Sequence, residues 1–354
     1  MRSIRIWMKR CGSAVSLAAM DPSLHELIEA GDLNGLLRSV DGLCASRRWN
    51  ELLDLADACE EAVERGKQMW PITLHIDYRL ALEAPPEIAS HALDYPGAAR
   101  FSHGPPTEVA ASTHTWEELA PHISEPQIAA YVAQERVLRG EDLQGDERAR
   151  PEVLEMPLRL TEWEPTYPLA TFFSDRAEVA EPWTPRAELE TMTRAPSKEL
   201  QDPDVTDLLL DLVQPWTSES NGAARAVIVE GDAVGAVSAL TYDAVAIGAL
   251  EPAEAMQRMA WAAASGGAHG RRRGAAFGRY LAWVVAAQLA EVRWPPESDE
   301  LGKAIGELHW FRWEEDIAQE GWALRIAVED PVHGWAAALG ASDLLEEDEA
   351  QTTQ

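Results

Sequence analysis

The apolar positions from Asp21 to about Leu143 recur at three- and four-residue spacing, which predicts helix after helix with little between them. Asp21 caps the first, Pro22 takes its first turn, Gly31 ends it and Asp32 opens the next. Trp49, Leu52, Leu53, Ala56, Cys59, Ala62 and Val63 line one face of a third helix, closed by Gly66. Pro71 starts a fourth, with Leu74, Tyr78 and Leu82 on one side, and Pro85-Pro86 stops it. Thr115 and Glu118 form a capping box ahead of Trp116, and Gln127 to Arg139 reads as an amphipathic helix stopped by Gly140. Short-looped helices of this kind stack as hairpins, although no strict repeat period is present.

The pattern then changes. Glu141 to Arg150 is charged and aperiodic, as in a linker, and Pro151 to Ser197 is proline-rich, predicting irregular strand and loop that packs through aromatics such as Trp163 and Trp183. A helix is predicted from Asp204 to Val213, a turn at Asn221-Gly222 and a buried strand at Ala226 to Val229. Trp322, Leu324, Ile326 and Val328 alternate with Ala323, Arg325, Ala327 and Glu329, a two-faced strand that pairs with Trp310 to Glu314 as a hairpin. Asp330-Pro331 reads as the start of a last helix, and Glu346 to Glu349 as the start of an acidic tail. The fold expected is helix-rich α+β: stacked helical hairpins over residues 21–143, then a mixed region with a small antiparallel sheet over 151–345, the two regions sharing one core or not.

Charge sharpens this picture. The formal net charge is -30, with 60 acidic residues against 30 basic ones. Such a surface repels nucleic acid and anionic lipid, so neither is expected as a general partner. Only Lys9, Lys67, Lys198 and Lys303 are lysine, the usage of a GC-rich bacterial genome. Cys11, Cys44 and Cys59 are odd in number and lack CxxC spacing, pointing to a reduced, cytoplasmic chain. The basic, weakly apolar stretch before Met20 is too short for an export signal, and Met20 is an alternative translation start to Met1. The longest apolar run, Tyr280 to Ala290, falls far short of the ~20 residues that span a bilayer, so no membrane association is expected.

Against that acidity, Ala255 to Ala290 holds Arg258, Arg271, Arg272, Arg273 and Arg279 and not one Asp or Glu. It reads as two helices joined by a glycine and arginine junction, Ser265 to Gly274, that includes His269. The second helix points its free amides and positive end at the junction, and arginine offers planar bidentate donors, so phosphate or carboxylate is attracted there. The competing expectation is that these arginines pair with carboxylates of the protein itself. Gly266, Gly270, Gly274 and Gly278, continued by Ala262, Ala282, Ala286 and Ala290, also predict a ridge of small residues for close helix packing.

Other chemistry is thinner. His103 and His114 could share a site with Arg100, and His75 with Asp77 could offer two ligands, but two ligands without an HExxH-type pattern do not make a metal site. No P-loop, GxGxxG, GxSxG or Cys and His motif is present, so no cofactor and no metal are expected. Half of the 14 tryptophans follow residue 260, at spacings that suit a core.

The strings SGGAHGRRRGAAFGR, ending at Arg279, and RFSHGPPTE, from Arg100 to Glu108, resemble a family of bacterial proteins, mainly actinobacterial, that carries a domain of unknown function. The resemblance runs over most of the chain after Met20; it implies a bacterial, cytoplasmic origin and no particular activity. The expected function is a non-enzymatic scaffold or protein-interaction protein. The alternative is binding or turnover of a small anionic ligand by Arg271, Arg272, Arg273 and Arg279 with His269, and by Arg100 with His103, where a histidine moves the proton. A third expectation is an acidic partner that masks a basic protein in a bacterial conflict system.

Overall fold

The computed structural model describes residues 21–93, 103–179, 189–241, 245–315 and 322–343. The helical first part begins with α1 (Pro22–Ala30), α2 (Leu33–Ala45), α3 (Trp49–Glu64) and α4 (Trp70–Glu83). It continues through α5 (Pro86–Ala89), α6 (Pro106–Thr113), α7 (Trp116–Leu119), α8 (Pro126–Leu138) and α9 (Pro151–Leu154). Helix starts and stops fall where the cap residues require: Asp21 accepts from the Ser23 N–H, Asp32 from the Gly35 N–H, and Gly31, Gly66 and Gly140 take positive φ. Neighbouring helices pack on one another from α1 to α4, then α4 on α6 and α6 on α8.

After these come a two-stranded hairpin, β1 (Ala170–Phe172) with β2 (Ala177–Val179), and the short strands β3 (Glu190–Met192) and β4 (Lys198–Glu199). Next are α10 (Pro203–Asp211), α11 (Gln214–Ser218), β5 (Ala223–Glu230), α12 (Ala233–Leu240) and β6 (Val245–Leu250). The chain then runs through α13 (Pro252–Ala264), α14 (Ala275–Leu289), α15 (Ser298–Glu307), β7 (His309–Glu315), β8 (Trp322–Asp330) and β9 (Trp335–Asp343). Among the described residues the larger sheet has seven strands in the order β3-β6-β7-β8-β9-β5-β4, every neighbour antiparallel.

Alternation along the strands divides the core. Ile228, Leu250, Trp310, Leu324, Ile326, Val328 and Leu339 face α10, α13 and α14 in one apolar cluster. Val227, Val229, Ile247, Trp313, Ala327, Ala336 and Ala338 face α12 in another. The first helices form a third cluster, and α8 belongs to two of the three: Ala129, Val132, Ala133 and Val137 join the helical cluster, Ala130 and Leu138 that of α14.

Four sequence expectations need correction. No helix starts at Asp330-Pro331: the Asp330 carboxylate accepts from the Val332 and His333 N–H groups at 2.8 and 2.9 Å, Gly334 takes φ +72°, and the tight turn feeds β9. Strand β9 is the link that joins β5 to the β7–β8 hairpin, so the sheet is larger than expected. From Ile128 onward α8 is buried or half-buried at every position and has no polar face, because it lies between two clusters. Glu141 to Arg150 is no linker either: Leu143 is buried, Glu141 accepts from the Trp116 N–H and Asp146 from the Trp116 indole. Trp183 and the acidic tail from Glu346 lie outside the described residues.

Candidate functional site

The junction between α13 and α14 is held from two sides. Its backbone folds back so that the Arg273 N–H donates to Ala264 O at 2.8 Å, and Gly274 takes φ +98°, a conformation L side chains rarely adopt. On the sheet side, the fully buried Asp343 accepts from the Ala268 N–H at 2.6 Å and from the Ser220 hydroxyl at 3.0 Å. The Trp216 indole donates to Ser265 at 2.8 Å, and Glu219 accepts from the Arg271 N–H.

Arg272 and Arg279 turn to the other side. Arg279 Nε and Nη2 donate to the two carboxylate oxygens of Glu164, both at 2.7 Å, and neither side chain has exposed surface. The remaining Arg279 donors go to Gln134 Oε1, Pro157 O and Arg159 O, while Glu164 also accepts from Tyr167, Trp283 and Thr161. Burial alone would raise the Glu164 carboxyl, but the Arg279 charge and these donors outweigh it and hold it below the usual range. Arg272 makes the same bidentate contact with buried Glu108, at 2.8 and 2.7 Å. Arg273 lies over the Phe277 ring and donates to Ala263 O and Asp211 O; burial lowers its guanidinium to about 10. Arg271 stays at the rim, 3.6 Å from Glu219, beside exposed His269, whose N–H donates to Ser220.

The start of α14 is already occupied by a carboxyl group, and it is the protein's own. Glu135 Oε1 accepts from the Ala276 N–H at 2.7 Å and Oε2 from Arg139 at 2.7 Å. Burial first, then the neighbouring Glu108 carboxylate, push the Glu135 carboxyl up to about 7. Glu108, Gln134, Glu135, Glu164 and Asp343 are therefore the partners that the sequence did not single out. Glu108, Gln134, Glu135 and Asp343 lie in helices or a strand and Glu164 in an irregular turn, and no shared local pattern marks them out.

The histidine group is not assembled in the same way. His114 is buried, its ring nitrogens facing Ala110 O and Ala84 O, whereas His103 is exposed and meets the Tyr78 ring edge to face, centroids 5.3 Å apart. Burial lowers the His75 imidazole. Arg100 lies outside the described residues. Among the described residues no group of three or more His, Cys, Asp or Glu is arranged to hold a metal ion. A cavity of about 290 Å³ is lined by Arg194, Ser197, Glu199, Arg225 and Ser238. Its arginines donate to Ser238 O and Leu240 O, so they neutralise the negative end of α12.

Fold and junction together define a helix-rich α+β protein in which an arginine-rich joint ties a helical layer to a sheet-bearing one. The chain belongs to the family of unknown function DUF6183, whose model matches residues 34–344. No curated protein and no solved structure matches it. No helix among the described residues is long and apolar enough to cross a membrane.

Proposed function

We propose that this protein is a non-enzymatic scaffold or protein-interaction protein, with the arginine junction as an internal joint. The observation that carries this reading is the closure of Arg272 and Arg279 by bidentate contacts to the buried carboxylates Glu108 and Glu164. A guanidinium so engaged offers no fork to an outside anion, and releasing it would strand a buried carboxylate. What the molecule presents outward is a strongly acidic surface, suited to a basic partner. A cytoplasmic, bacterial setting is part of the same proposal, supported by the buried free thiols of Cys44 and Cys59 and by the scarcity of lysine.

Thermal shift against nucleotides, sugar phosphates and inorganic phosphate tests it: no member of the panel should move the melting temperature of wild type or of Arg272→Ala. A second reading, small-anion binding at residues 266–279, keeps support from the rim, where His269 is exposed and Arg271 half-buried. Stabilisation by phosphate that disappears in Arg271→Ala would favour that reading over the first.

A further inference from the structure

Glu108 and Glu135 are both buried, and both point to the start of α14. A Cβ at Gly274 would lie 3.2 Å from Glu135 Oε1 and 3.7 Å from Glu108 Oε2, so these oxygens are no more than 6.9 Å apart. The charges facing them come from three elements. Glu108 is on α6; Arg139, just beyond α8, donates Nη1 to Glu135; Arg272, on the junction, commits Nε and Nη2 to Glu108. Arg139 Nη2 is buried without a hydrogen-bond partner. Glu135 is thus the less compensated of the two carboxylates, held by one guanidinium nitrogen and one backbone N–H.

We propose that Glu135 is a proton-operated latch between α8 and the start of α14, closing this joint when protonated and loosening it when charged. A protonated carboxyl still accepts from the Ala276 N–H through its carbonyl oxygen, so the closing contact survives. What the proton removes is a second buried negative charge beside Glu108. Proton linkage sets the direction of the effect. A carboxyl whose value in the closed state lies above its value in the open state takes up a proton on closing, so stability is present at low pH and is lost as pH rises. The window runs from the ordinary glutamate value, 4.5, up through about 7.

The experiment is amide hydrogen exchange over residues 272–279 in the full chain between pH 6 and pH 8, corrected for intrinsic rates, with a parallel carbon-13 titration of the glutamate carboxyls. Wild-type opening constants should rise on the order of tenfold over this range, and those of Glu135→Gln by less than about twofold. In Glu108→Gln the Glu135 carboxyl should titrate at lower pH than in wild type. An equal rise in wild type and Glu135→Gln overturns the proposal, as does a wild-type spectrum in which every glutamate carboxyl titrates below pH 6. The wild-type titration and Glu108→Gln keep the test decisive if Glu135→Gln does not fold.

Discussion

Arg279 and Glu164 show what a single residue pair does in this molecule. Both side chains are wholly buried, and every donor of the guanidinium has an acceptor, so the desolvation of two charges is offset by a closed set of hydrogen bonds. Removing one partner leaves the other charged and unpaired. Arg279→Met should therefore cost roughly 3–5 kcal/mol, read from the urea midpoint. The double variant Arg279→Met with Glu164→Leu should recover much of that loss, and a double variant no better than the single one would count against this account. The sequence made the arginines visible, because the stretch around them contains no acids. Their partners were not legible: Glu164 lies 115 residues from Arg279 and Glu108 lies 164 from Arg272, and only the folded chain brings such distant positions together.

The elements divide by how local their causes are. Helices α1 to α4 and α13 to α14 were readable because caps, glycine stops and apolar spacing sit within each segment. Strand β9 was not, since Trp335 to Ala341 is mostly alanine, a residue that favours helix, and β pairing on both sides overrides that preference. Two of those alanines have a role in packing: Ala336 and Ala338, with Gly340, keep one face of β9 flat beneath α12 and the Trp313 ring. The small-residue ridge is realised only in part. Gly278 lies against α13, where a Cβ would fall 2.2 Å from Ala260 O, while Gly266 and Gly270 touch each other inside the junction. Gly278→Ala must push α13 and α14 apart, so a loss of about 1–3 kcal/mol is expected in chemical denaturation. A variant as stable as wild type would show that the helix contact is more compliant than described.

At the scale of the whole molecule, α8 makes the helical layer and the sheet-bearing layer difficult to separate, because its two faces belong to different clusters. Composition announced the charge of the molecule but not how it is distributed: the acids that matter for the joint are inside, and the excess is outside. A net charge of -30 repels itself, so raising sodium chloride from about 0.05 to about 0.5 M should raise the melting temperature by screening that repulsion. The buried pairs at the junction are shielded from salt and should contribute little to the change. A fall in melting temperature would instead show that attraction between exposed ion pairs outweighs the repulsion.

The claim on which the rest depends is that the arginine junction is an internal strut, and a double-mutant cycle on Glu108 and Arg272 in urea denaturation measures it directly. With Glu108→Gln, Arg272→Gln and the double variant, the account predicts a coupling energy of about 2 kcal/mol or more, as expected for a desolvated bidentate pair. A coupling below about 0.5 kcal/mol, the size found for exposed ion pairs, would contradict it.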